Sequence, residues 1–219
     1  MIFINFKAYE KGTGEKALIL VKILEAVASK FQVKIIPVVQ ATDIKEMVLT
    51  TKLEVWAQKI DPIAYGAHTG AILPEAVIED GAQGTFLNHS EAKLNHFEDL
   101  ALAVKRCAEL ELKTLVFSQS LAELKKTLDL KPTFVAYEPP ELIASRTTSV
   151  AQARSEAIKT AVNLAREKGL PLVVGAGIKS GEDTRKSLEL GAVGVVVASD
   201  VMLAKNPEKE LLELVQGFS

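Results

Sequence analysis

Two hydrophobic rhythms alternate along the chain. Apolar runs of five or six residues recur at 2–6 (IFINF), 34–39 (KIIPVV), 54–58 (EVWAQ), 83–88 (QGTFLN), 113–118 (KTLVFS), 133–138 (TFVAYE), 171–175 (PLVVG) and 193–197 (VGVVV). Their length and β-branched content predict eight strands. Between them, apolar positions return with helical spacing. The clearest case is 15–30, where Leu20, Val21, Leu24, Val27, Ala28 and Phe31 form one stripe. Residues 150–168 repeat the pattern through Ala153, Ala157, Ile158, Ala161 and Ala165, and Ser149 with Gln152 reads as a capping box opening that helix.

A strand followed by a helix, eight times over, implies parallel neighbours, because each return to the sheet needs a crossover. Dividing 219 residues by eight leaves about 27 per unit, enough for a strand, a short helix and two turns. No linker interrupts the series. The expectation is one α/β domain over 1–219, a closed (β/α)8 TIM barrel, with an open doubly wound sheet as the rival architecture. In a barrel, chemistry gathers at the C-terminal ends of the strands.

Composition narrows the class. Hydrophobic residues make up 48% and charged residues 25% of the chain, which suits a globular protein. A formal charge of −2 gives no basic footprint for nucleic acid, and the Lys125-Lys126 and Arg185-Lys186 pairs read as solvated helix faces. Cys107 is the only cysteine, which leaves no intramolecular disulfide or thiolate cluster, and its helical surroundings mark it as a packed thiol. The longest apolar run, AVGVVVASDVMLA, is too short for a membrane span and carries Asp200. The N-terminus reaches Lys7 too soon for a signal peptide. The expectation is a soluble, cytoplasmic protein with no membrane partner.

The strand ends carry the candidate chemistry. Asn5 and Lys7 lie two apart and would share one face of an extended strand, either as part of a site or as a polar strand end meeting water. In NHSEA (88–92), Asn88 with Glu91 three residues later looks like a helix N-cap and its acidic partner. His89 would then sit in a first helical turn, where the helix dipole favours neutral imidazole; the alternative is a histidine facing solvent. His68 and His96 lack such a setting and read as structural or surface residues. Gly175 and Gly177 would let backbone amides approach an anion, Ser180 would cap the next helix, and Ala198 and Ser199 would start another short helix. Loops after the last two strands of such barrels often hold phosphate. Finally, FVAYEPPELI (134–143) ends a strand on Glu138 and stiffens it with two prolines, either a pre-positioned base or a rigid polar strand end. Taken together, these groups are an inventory for proton abstraction beside a carbonyl in a phosphorylated substrate, with Glu138 as base and His89 and Lys7 stabilising the developing oxyanion.

At these positions the chain resembles the triosephosphate isomerase family, in its short archaeal type. The likeness runs through NFKAY at the first strand, GAHTG (66–70), NHSE (88–91), AYEPPELI (136–143), GAGI (175–178) and VVVAS (195–199). It implies that Glu138 moves a proton between C1 and C2 of dihydroxyacetone phosphate and D-glyceraldehyde 3-phosphate, a step of glycolysis and gluconeogenesis. It also implies that His89 polarises the enediolate oxygens and that Asn5, Phe6 and Lys7 contact substrate. By the same resemblance, Ile143, Ala144, Gly177, Ala198 and Ser199 meet the phosphate, and Ser90 and Glu91 support the site. No metal or organic cofactor is implied. Thr69, in the segment resembling the family's third loop, would brace a neighbouring subunit's site, so the resemblance implies a homo-oligomer, a dimer or a tetramer.

One segment departs from the family. Ala144-Ser145-Arg146 stands where the family has Gly-Thr-Gly after the isoleucine of its closing lid. Loss of both glycines narrows the hinge's backbone options, so intact chemistry with altered lid kinetics is expected. Restoring Gly-Thr-Gly and finding turnover and methylglyoxal release both unchanged would remove that expectation. Two rival readings remain at this point: another sugar-phosphate isomerase or epimerase, and a non-catalytic barrel that binds a phosphorylated metabolite.

Overall fold

Alternation along the strands creates two cores and, between them, a closed barrel. The computed structural model describes residues 1–139, 155–175 and 177–218. The strands are β1 Ile2–Asn5, β2 Ile35–Val39, β3 Trp56–Ala57, β4 Gly84–Leu87, β5 Lys113–Ser118, β6 Phe134–Tyr137, β7 Leu172–Val174 and β8 Gly194–Val197. Each pairs in parallel with the next, and β8 closes on β1 through Ile2↔Val195 to Ile4↔Val197. That closure excludes the open doubly wound sheet. The expected strands are all present, but β3 has shrunk to two residues.

One set of alternate positions, including Phe3, Trp56, Phe86, Leu115, Phe117 and Val173, fills the barrel interior as a buried cluster. Its aromatic rings meet edge-on: Phe3 and Trp56 lie 5.1 Å apart, and Phe86 and Phe117 4.8 Å apart. Gly84 makes room for the indole, since a Cβ there would lie 2.3 Å from the Trp56 ring. The opposite set, such as Ile2, Ile4, Ile35, Val39 and Val135, faces the helices. Helix Gly14–Phe31 buries Ala17, Leu20, Val21, Leu24, Val27 and Ala28 against it. Phe31, expected in that stripe, is exposed because the helix ends there and Gln32 turns the chain with φ of 54°. Helix Ser155–Glu167 buries Ile158, Ala161, Val162 and Ala165. Ala153 and the Ser149/Gln152 capping box lie outside the described residues.

The N-terminal end of the barrel is bound by charge. Glu54 accepts from the Trp56 indole N–H at 2.9 Å and pairs with Lys34 and Lys113 at 2.5 and 2.8 Å. Cys107 is buried and its thiol is pushed up to about 12 by burial, so it is a packed, protonated group. Lys125, Lys126, Arg185 and Lys186 are exposed, as expected of solvated helix faces. Among the described residues, no helix is long and apolar enough to cross a membrane, and no cluster of His, Cys, Asp or Glu is arranged to hold a metal ion.

Candidate active site

Glu138 follows β6 directly and keeps its alternation: Phe134 and Ala136 belong to the barrel interior, and Glu138 is the next inward position. Its backbone N–H donates to the Ser118 carbonyl at 2.9 Å, tying the strand end to β5. The side chain is buried, 5% exposed, above the aromatic interior. Gly175 makes this possible, because a Cβ there would lie 2.8 Å from Glu138 Oε1. Gly175 is expected from the sequence to let a backbone amide approach an anion. Instead its N–H donates to the Tyr137 carbonyl at 3.2 Å, and its missing side chain clears space for the carboxylate.

His89 arrives from β4, buried at 7% exposure, with Nε2 3.6 Å from Glu138 Oε2. The expected helix start at Asn88 does not form. Residues 90–91 make a turn, Ala92 N–H bonds the His89 carbonyl at 2.8 Å, and the helix begins only at Phe97. Asn88 takes a left-handed conformation with φ of 60°. Its amide points away from helix capping and donates to Phe117 O at 3.0 Å and Glu123 Oε1 at 2.9 Å. Imidazole neutrality, expected from a helix dipole, has other causes here. Burial, helped by the Lys7 ammonium and opposed by Glu91, lowers the His89 pKa to about 4. The Glu91 backbone N–H donates to Nδ1 at 3.1 Å, which fixes Nδ1 as acceptor and leaves the proton on Nε2, facing the pocket.

Lys7 also differs from expectation in how it reaches the site. β1 ends at Asn5, and Lys7 turns out of it with φ of 46°, so strand alternation does not place the two on one face. Three bonds hold the turn: Lys7 N–H to Asn5 Oδ1 at 3.0 Å, Gln58 Nε2 to Lys7 O at 2.8 Å, and Phe6 N–H to Val38 O at 2.9 Å. The Lys7 ammonium pairs with Glu91 at 2.7 Å; the lysine is mostly covered and the glutamate 56% exposed. Ser90 Oγ is buried without a hydrogen-bond partner among the described residues.

One pocket joins these groups. Asn5, Lys7, His89, Glu138, Gly177, Ala198 and Ser199 all line it, at the C-terminal ends of strands around the barrel. Gly177 has φ of 64°, a conformation suited to glycine. Ser180 caps the next helix by accepting the Asp183 N–H at 3.1 Å, and Ser199 opens the short helix Ser199–Met202, both as expected. Phe6 is not in the pocket: its side chain is fully buried in the layer facing the helices. Thr69 is exposed on a loop and lies outside the pocket. Ile143, Ala144 and the rest of the lid, Ser145 and Arg146 included, lie outside the described residues. Tyr9 and Asp200 also line the pocket and are not among the expected site residues: Tyr9 closes the NFKAY segment and Asp200 directly follows VVVAS, and each lies beyond its strand, where alternation gives no direction. His68 and His96 are exposed, in keeping with their reading as surface residues.

A family model described as Triosephosphate isomerase matches residues 1–117 and 111–217. The chain is 42% identical over 216 residues to a triosephosphate isomerase of Saccharolobus solfataricus, covering 98% of this chain and 94% of that protein. It is 41% identical over 218 residues to one from Metallosphaera sedula, covering 99% and 95%, and 40% identical over 217 residues to one from Methanothermus fervidus, covering 98% and 97%.

Proposed function

This chain belongs to the triosephosphate isomerase family, and from that premise we propose that Glu138 is the base that moves the proton as D-glyceraldehyde 3-phosphate and dihydroxyacetone phosphate interconvert. The enzyme is an aldose–ketose isomerase acting in glycolysis and gluconeogenesis. The observation that carries the residue assignment is the meeting of two buried side chains from different strands, His89 Nε2 and Glu138 Oε2, 3.6 Å apart in one pocket with Lys7 and Asn5.

Glu138 accepts a proton from C1 of dihydroxyacetone phosphate, and the electron pair of the broken C–H bond moves into an enediolate. The carbonyl oxygen gains negative charge as this happens. His89, neutral and carrying its proton on Nε2, donates a hydrogen bond there without the solvation cost of a buried cation, and the Lys7 ammonium adds positive charge. A proton then passes from the C1 hydroxyl to the C2 oxygen, interconverting the two enediolate forms, and Glu138 returns its own proton to C2 as the C1 carbonyl forms. The phosphate lies against Gly177, Ala198 and Ser199, with Ile143 and Ala144 of the lid completing its surroundings. Glu91 supports both partners, through its amide on His89 and its carboxylate on Lys7.

The reading extends to assembly. The loop 61–72 is pinched at its base, where Asp61 Oδ2 accepts the Ile72 N–H at 2.7 Å and Asp61 N–H donates to Ile72 O at 2.9 Å. Beyond that clamp it projects with Tyr65 74% exposed and Thr69 at the surface. This supports a homo-oligomer in which the loop reaches a neighbour; the same reading places the enzyme in the cytoplasm, and closure of β8 on β1 supports a single domain. Light scattering that finds a fully active monomer would remove the assembly reading. For the chemistry, interconversion of the two triose phosphates is measured with wild type and Glu138→Gln. The expected result is fast turnover in the first and loss of about 10³-fold or more in the second. Retained activity in the variant places the base elsewhere, and phosphate-sensitive ligand binding without turnover in either protein points to a non-catalytic barrel.

A further inference from the structure

We infer that Glu123 is a positioning residue for the isomerisation: its carboxylate, on the helix after β5, clamps Asn88 and thereby sets the direction in which His89 enters the pocket. The inference rests on His89 being the electrophile. It starts from backbone strain. Asn88 is a non-glycine residue with φ of 60°, a conformation that must be held by its surroundings. It forms the bend between β4 and His89, so its torsion angles set the direction in which the chain carries His89 into the pocket.

Both amide hydrogens of Asn88 are committed to holding it, one to Phe117 O at 3.0 Å and one to Glu123 Oε1 at 2.9 Å. Glu123 Oε2 accepts the Gln119 N–H at 2.7 Å, and Lys93 from the loop after β4 approaches Oε1 at 3.3 Å. The carboxylate thus joins the loop after β4 to the loop after β5. Ser120 and Glu123 also have capping-box spacing, and Ser120 Oγ accepts the Glu123 N–H at 3.1 Å. In that motif the glutamate side chain turns back to the cap residue's own amide. Here it bonds the residue before the cap and reaches across to another strand's loop.

The segment it stabilises touches both halves of the chemistry. The Phe117 ring meets the His89 imidazole edge-on at 4.9 Å, and Ser118 O accepts the Glu138 N–H at 2.9 Å. Glu123 is not among the residues lining the catalytic pocket, so it acts through Asn88 and this segment without touching substrate. A hydrogen-bond donor at a developing oxyanion works by aim, and misplacement by about 1 Å costs roughly 10²-fold in rate.

The test compares Glu123→Ala, Glu123→Gln, Asn88→Ala, the Glu123→Ala/Asn88→Ala pair and His89→Asn, each assayed for kcat, KM and melting temperature. Imidazole ¹⁵N spectra are recorded for those that keep His89. The expected result is a kcat loss of about 10- to 100-fold in Glu123→Ala with KM within about twofold. The His89 nitrogen resonances shift or broaden, and Glu123→Gln, which keeps an acceptor for Asn88, recovers part of the loss. Asn88→Ala matches Glu123→Ala, and the pair is no worse than either alone, because both changes break the same clamp. A lower melting temperature with unchanged kcat and unchanged His89 resonances overturns the inference, leaving Glu123 a helix cap, as do losses that multiply in the pair. Full turnover in His89→Asn overturns the assignment of His89 itself. Loss in His89→Asn with none in Glu123→Ala overturns only the positioning role.

Discussion

Lowering the pH from 7.5 to 4.5 should cost the native protein about 2.5 kcal/mol through His89 alone. In the folded state burial, assisted by the Lys7 ammonium and opposed by Glu91, lowers its pKa from 6.5 to about 4. In the unfolded chain the ring is solvated and titrates near the ordinary value. Above pH 6.5 neither state holds the extra proton, so His89 adds no pH dependence there. Between 6.5 and 4 the unfolded chain takes up a proton that the folded chain refuses, and stability falls by up to about 1.36 kcal/mol per pH unit. Below pH 4 both states are protonated and the loss levels off. The assay is urea unfolding of wild type and His89→Asn at pH 7.5 and 4.5. Subtracting the two proteins cancels the carboxylates they share. Wild type should lose about 2.5 kcal/mol more than the variant over that interval. Equal losses would refute the reasoning, because they would mean the folded site accepts the proton as readily as water does.

Three further outcomes follow from close contacts and charge. Gly175→Ala places a Cβ 2.8 Å from Glu138 Oε1 and should lower kcat by about 10²-fold with little change in KM, and an unchanged kcat would show that the carboxylate has room to move. Gly84→Ala drives a methyl to 2.3 Å from the Trp56 indole and should destabilise by about 1–3 kcal/mol, read by unfolding followed through the chain's single tryptophan; a stability within error of wild type would count against a rigid interior. Asp200→Asn removes a half-buried carboxylate beside Gly177, Ala198 and Ser199 and should tighten competitive inhibition by inorganic phosphate about 3- to 10-fold near pH 8. Burial raises the Asp200 pKa, so the gap between the two proteins should close as the pH falls and the carboxyl group protonates. An inhibition constant identical in both proteins at every pH would place Asp200 out of reach of the phosphate.

Much of the barrel was legible because local burial leaves a local trace. Ile2 and Ile4 face the helices while Phe3 faces the interior, and Leu20, Val21, Leu24, Val27 and Ala28 repeat with the helical period. Seven of the expected site residues, Asn5, Lys7, His89, Glu138, Gly177, Ala198 and Ser199, do line one pocket. The means by which they get there were less legible. Lys7 arrives through a left-handed turn held by Gln58, 51 residues away, and Asn88 is held by Glu123, 35 residues away, where local spacing suggested a helix cap. A capping pattern reports only what neighbouring residues can bond to, and here a more distant carboxylate took the Asn88 amide.

The sequence by itself therefore determined the order of strands and helices, the faces they bury, and the residue types delivered to the strand ends, since each depends on periodicity within a few residues. The tertiary structure alone decided that His89 is neutral with its proton on Nε2 and that Gly175 serves Glu138 rather than an anion. Those outcomes depend on desolvation, Coulomb interactions and steric room. Such quantities have no value until barrel closure brings β1, β4, β6 and β7 around one pocket.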